Sequence, residues 1–134
     1  MVERVYTPEE ANAALEQVRP LAERMVEHYR RLAEAHDRRA ALGRKVAGNG
    51  GGIDSGAAQA MHEDAEREGR EVTSCLQALN ELGVLVKDVG TGLLDFPSLR
   101  DGEDVLLCWR VGEPEVAYWH GPEDGFAGRR PLPL

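Results

Sequence analysis

Cysteines, aromatic residues and long apolar runs are all scarce in this 134-residue chain. Two cysteines, Cys75 and Cys108, make neither a disulfide framework nor a four-thiolate zinc site, and no Cys-x-x-Cys pair occurs. No apolar stretch approaches the roughly 20 residues that a membrane-spanning helix needs. The opening MVERVYTPEEAN lacks the apolar segment of a secretory signal. Basic residues are the minority: 16 Lys and Arg against 24 Asp and Glu leave a formal charge of -8, which disfavours broad contact with a phosphate backbone. These absences predict a cytoplasmic protein that binds neither membrane nor nucleic acid. What is present, 42% hydrophobic and 30% charged residues, suits one soluble globular domain able to bury roughly two-thirds of its unfolded surface.

Residues 1–83 are rich in Ala, Glu, Arg and Leu, and residues 84–134 hold both Trp and both Phe. Thr7, Pro8 and Glu10 form a helix start, with a capping hydroxyl, a proline at the first helical position and a capping-box acid. Ala11, Leu15, Val18, Ala22, Met25, Tyr29, Leu32 and His36 then recur with a 3.5-residue period, a coiled-coil seam that asks for a partner helix. Pro20 predicts a bend. The helix is expected over 1–43, followed by a glycine-rich, flexible loop over 44–54, with residues 47–53 the most mobile. A second helix over 55–83 carries the seam Ala57, Met61, Ala65, Glu68, Val72, Cys75, Leu79 and Leu82, and Gly83 stops it. A shared period and one loop predict an antiparallel helical hairpin.

From Val84 the period becomes two. VLVKDV, LLDF, DVLLCWRV and VAYWH read as short strands, and their brief spacers suit antiparallel hairpins only. Asp95-Phe96-Pro97 reads as a turn entry, with Pro97 ending its strand. The expected architecture is therefore α+β: a long antiparallel helical hairpin packed on a three- to four-stranded antiparallel sheet, with 84–134 forming the sheet and tail of a single domain over 1–134.

The C-terminal part carries a specific string: VKD at 86–88, TGLLDFP at 91–97, Asp101-Gly102, LCWRVGE at 107–113, WHG at 119–121 and GFAGRRP at 125–131. With the opening TPEEANAALEQVRPL, it resembles a bacterial family known as domain of unknown function 2203. The resemblance spans nearly the whole chain, is weakest over 43–70, and implies no activity, so no role passes from it to any residue.

Six side chains of the string form a candidate ligand site: Asp95, Cys108, Glu113, Glu115, His120 and Arg129. Thiolate, imidazole and carboxylate together can hold zinc or iron, Cys108 and His120 being the chief metal candidates, although the spacing matches no zinc knuckle. Strand register decides the matter. A four-residue GEPE loop pairs Trp109 with Tyr118 and Leu107 with His120, leaving Cys108 with Trp119 on the face opposite Trp109. A three-residue loop instead puts Cys108 and His120 on one face, where a thiol–imidazole dyad is also conceivable. The four-residue loop is the register adopted, so Cys108 is read as a small core residue and no cofactor is expected. Arg129 and Arg130 are expected to pair with Asp95, Asp101 or Asp104, and Trp109, Tyr118 and Trp119 to pack as sheet aromatics. Lys87, Asp88, Asp95 and Asp101 offer acid and base groups without a recognisable catalytic order.

The preferred function is a non-enzymatic binding or self-association module, a homodimer through the helical hairpin with room for another protein partner. The alternative is a metal- or small-ligand-dependent enzyme built on the six-residue cluster.

Overall fold

The computed structural model describes residues 4–49 and 55–134. Helix α1 spans Pro8–Asn49 and α2 spans Ser55–Glu81. The start of α1 is the expected capping box: Thr7 N–H donates to Glu10 Oε1 (2.9 Å) and Glu10 N–H donates to Thr7 Oγ1 (3.1 Å). The bond from the Thr7 backbone is the main reason the Glu10 carboxyl sits below its ordinary pKa. The helix continues through Pro20 and past the expected stop at Gly43. One glycine costs a helix only about 1 kcal/mol, and Arg44, Lys45 and Ala47 beyond it are good helix formers. The expected mobile loop is thus helix over 47–49, and its remainder, 50–54, lies outside the described residues.

Two contacts give the hairpin its direction. Arg24 donates to Glu71 (3.0 Å) and His28 meets Glu68 (2.5 Å), so rising numbers on α1 face falling numbers on α2. The α2 seam is buried from Ala65 through Glu68, Val72 and Cys75 to Leu79. The α1 seam is buried as far as Met25 and then steps back one residue. Tyr29 and His36 are exposed, and Ala35 is buried instead. A straight helix drifts by about 20° per heptad against a strict 3.5 period, so a stripe that begins against the sheet leaves α2 unless it shifts. The 3.5 period is thereby used within the chain, with α2 as the partner helix. Among the described residues, no helix is long and apolar enough to cross a membrane.

The sheet has five strands in sequence order, all antiparallel: β1 (Leu85–Asp88), β2 (Leu93–Arg100), β3 (Glu103–Arg110), β4 (Tyr118–His120) and β5 (Arg130–Pro131). The fifth, a two-residue strand, was not expected. Nor does Pro97 end β2, which runs on to Arg100 and turns at Asp101-Gly102, both with positive φ. In an antiparallel strand the N and C=O of one residue point to the same side. The Pro97 carbonyl accepts from Tyr6 N–H (2.7 Å), so its missing N–H faces the N-terminal segment and costs no bond to β3. Tyr6 fixes that segment further, donating its hydroxyl to the Leu82 carbonyl (2.5 Å) and setting its ring edge-on to Phe96.

Leu94, Phe96, Val105, Leu107 and Trp109 belong to the buried core cluster together with Ala11, Leu15, Val18, Ala22 and Met25 of α1. Trp109 is fully buried, as expected. The register of β4 is not the one adopted from sequence: Leu106 pairs with His120, Leu107 with Trp119 and Cys108 with Tyr118. The shift of one residue turns every β4 side chain over. Trp119 therefore joins Trp109 and Leu107 on the helix-facing side, and Cys108 shares the outer side with His120. Part of the cause lies outside the hairpin. Asn12 of α1 grips Val116 in both directions, accepting from its N–H (2.7 Å) and donating to its carbonyl (3.2 Å). Arg19 donates to the carbonyls of Glu113 and Pro114. The loop makes its own turn, with Glu113 N–H on the Arg110 carbonyl (3.0 Å) and Gly112 at positive φ, and the helix holds it in place from outside.

Candidate metal centre

Strands β2, β3 and β4 each place one buried polar side chain at the centre of the outer face of the sheet. Asp95 stands opposite Cys108 across the β2–β3 pair, and His120 lies diagonal to Cys108 on β4. This face is turned away from the helices, yet the three residues are only 1%, 1% and 3% exposed. One carboxylate oxygen, the thiol sulfur and one imidazole nitrogen all lie within 4.8 Å of one another.

The hydrogen count at this cluster is informative. His120 Nδ1 lies 2.7 Å from the Gly121 carbonyl, an obligate acceptor, so Nδ1 carries a hydrogen. His120 Nε2 lies 3.0 Å from Asp95 Oδ1. A neutral imidazole of that tautomer and an ionised carboxylate would meet lone pair to lone pair. The contact needs either a second hydrogen or a cation between them. Cys108 adds a third donor, the soft one, and its thiol is pushed up to about 11, first by burial and then by the Asp95 charge. Both imidazole nitrogens are already engaged, so the imidazole is not free to take the thiol proton, and a buried thiol with a raised pKa is a poor nucleophile. The thiol–imidazole dyad does not fit this geometry. A metal ion does: it would take the Cys108 thiolate, His120 Nε2 and one Asp95 oxygen, leaving Nδ1–H on its carbonyl as ligating histidines require. Tetrahedral bonds of about 2.0–2.3 Å separate neighbouring donor atoms by roughly 3.3–3.8 Å, so the three need move little.

The other candidates divide. Glu115 is exposed and takes no part. Glu113 and Arg129 form a clamp beside the trio: Arg129 Nη1 donates to Glu113 Oε2 (2.8 Å), and Nη2 donates to Oε1 (2.6 Å) and to the Cys108 carbonyl (3.2 Å). Arg129 and the Arg110 backbone N–H hold the Glu113 carboxyl below its ordinary pKa against the upward push of burial. The guanidinium also lies on the rings of Tyr118 (4.1 Å) and Phe126 (4.6 Å). Arg129 thus pairs with Glu113 and not with Asp95, Asp101 or Asp104, while Arg130 lies over Trp119. Lys87, Asp88 and Asp101 are exposed, and Asp88 caps a turn by accepting from Thr91.

Sequence reasoning did not single out Asn12, Arg19 or Phe126. The first two carry the β3–β4 loop, and through it Glu113. Their spacing of seven on α1 places them on one helix face and was the only available signal.

A family model described as an uncharacterized conserved protein, domain of unknown function 2203, matches residues 4–132, and the chain belongs to this family. No curated protein and no solved structure matches it.

Proposed function

We propose that this family member binds one borderline-soft divalent metal ion, zinc by preference, through Asp95, Cys108 and His120. The observation that carries this reading is the buried contact between His120 Nε2 and Asp95 Oδ1 beside the Cys108 sulfur, where the donor set asks for a positive centre. A thiolate, an imidazole and a carboxylate together favour zinc over magnesium or calcium, which take all-oxygen sets. The ligands come from three successive strands, so the ion ties the outer sheet together, and its binding free energy adds to folding stability.

The experiment is elemental analysis of freshly purified protein, paired with thermal melts in zinc and in a chelator. About one equivalent of metal is expected, with a Tm that rises in zinc, and both effects vanish in Asp95→Asn, Cys108→Ser and His120→Asn. Metal-free wild type whose Tm responds neither to zinc nor to chelator contradicts the reading.

Self-association through the hairpin is a second reading. At 1.5 Å per residue the 42 residues of α1 extend about 63 Å, well past the four helical turns that cover the sheet. Light scattering tests it: a dimer mass supports it, and a monomer at high micromolar concentration removes it.

A further inference from the structure

The clamp beside the cluster holds an unexplained donor. An arginine guanidinium has an end-on fork, Nη1–H with Nη2–H, and a side-on fork, Nη2–H with Nε–H, whose two hydrogens run parallel. In Arg129 the end-on fork is filled by Glu113. Half of the side-on fork is filled by the Cys108 carbonyl, which takes Nη2–H. The other half is not: Arg129 Nε is buried and has no acceptor. Leaving a buried N–H unpaired is costly, and the rest of this guanidinium is held too firmly to turn away, by a bidentate carboxylate and two aromatic rings. The free hydrogen runs parallel to the bond that Arg129 makes to the Cys108 carbonyl, and the same guanidinium already interacts with that residue's side chain. That interaction opposes the upward push of burial on the thiol.

We infer that Arg129 is a positioning residue for the metal centre: in the loaded protein its Nε–H donates to the Cys108 thiolate. This rests on the metal reading above. A neutral thiol is a weak acceptor, whereas a metal-bound thiolate is a good one, so loading supplies the missing partner of the fork. Bonds from the surrounding shell orient metal ligands and tune their donor strength, and removing one typically weakens binding 10- to 100-fold. The link also runs the other way. Arg129 belongs to the C-terminal tail, which forms β5 on the edge of the sheet, so an ion at the cluster fastens the tail through the Arg129–Cys108 contact.

Cobalt(II) is the probe, because a bound thiolate gives it a near-ultraviolet charge-transfer band. Wild type is expected to bind one cobalt with that band. Arg129→Lys and Arg129→Gln should bind it roughly 10- to 100-fold more weakly, with the band moved to longer wavelength, since a thiolate that loses a hydrogen bond gives up electron density more easily. A measurement on wild type stands if the Arg129 variants fail to fold: protein loaded with a spin-active cadmium isotope should show a scalar coupling from the metal to the Arg129 Nε–H proton, carried through the N–H···S bond. Variants with wild-type affinity and an unmoved band, or loaded wild type without that coupling, overturn the role of Arg129 and leave the site intact. Wild type with no thiolate band overturns the site itself.

Discussion

The two faces of the sheet each bury a centre, by different chemistry. The inner face presents Leu94, Phe96, Val105, Leu107, Trp109 and Trp119 to the helical hairpin and is held by apolar contact. The outer face, at the same strand positions displaced by one, presents Asp95, Cys108 and His120. Hydrophobic burial is non-directional and tolerates a shift of a few tenths of an ångström. Buried polar groups do not, because each must meet a partner of the right kind. On the inner face the Trp109 indole N–H finds the Glu113 carbonyl (3.0 Å), and the face is complete. On the outer face the Asp95–His120 contact calls for a second imidazole hydrogen or a cation, and one arginine N–H lacks an acceptor. An apolar face needs nothing beyond the chain, while the outer face has the marks of one that does.

The largest effect expected is on the inner face. Trp109→Ala empties a fully buried site at the centre of the core and should cost about 3–5 kcal/mol; urea melts give the value. Trp119→Ala, on the same face but on short β4 near the sheet edge, should cost less than Trp109→Ala but well over 1 kcal/mol. A near-neutral Trp119→Ala would contradict the register described here.

On the outer face His120→Ala leaves the Asp95 carboxyl buried without its partner. Metal-free protein should lose about 3 kcal/mol, within the range seen when one member of a buried pair is removed. A loss well under 1 kcal/mol would mean that the Asp95–His120 contact is not a bonded pair.

The Cys108 thiol predicts an alkaline weakness that the inner face cannot produce. Its pKa is raised from 9.0 to about 11 in the folded protein, so folded protein keeps a proton that the unfolded chain sheds. Stability from the neutral thiol is fully present below about pH 9 and falls as pH rises towards 11, by about 2–3 kcal/mol in all. Melts of metal-free wild type and Cys108→Ser between pH 8 and 11 should diverge, with wild type losing more. Parallel losses would show the thiol to be solvated.

The smallest effect is at the joint between the faces. Asn12→Ala leaves the Val116 N–H without its acceptor and frees the loop that carries Glu113, at a cost of about 1–2 kcal/mol. Its metal affinity should fall with it, whereas Trp119→Ala should weaken folding and leave the affinity of the folded protein nearly unchanged.

The same contrast separates what was legible in the sequence from what was not. Local signals were read correctly: the Thr7–Glu10 capping box, the α2 seam from Ala65 to Leu79, the change of period at Val84. Each depends on neighbours a few residues apart. The β3–β4 loop combines a local turn over 110–113, with Gly112 at positive φ, with bonds from Asn12 and Arg19, about a hundred residues away, and no turn rule contains the second part. Of the candidate site, Asp95, Cys108 and His120 were named together because their chemistry is unusual in a strand, but a one-residue slip placed Cys108 and His120 on opposite faces. The Glu113–Arg129 bond was missed for the same reason, since it bridges two loops whose positions follow from that register. Pro97 misled because a proline in a strand is harmless only where its blocked side faces a non-strand neighbour, here Tyr6.

The central claim, that the outer face is completed by a metal ion on Asp95, Cys108 and His120, is tested most directly by X-ray absorption at the zinc edge on protein loaded with one equivalent of zinc. The account predicts a shell of one sulfur at about 2.3 Å with nitrogen and oxygen neighbours at about 2.0–2.2 Å, and loss of the sulfur in Cys108→Ser. A wild-type shell of nitrogen and oxygen alone, unchanged in Cys108→Ser, would contradict it.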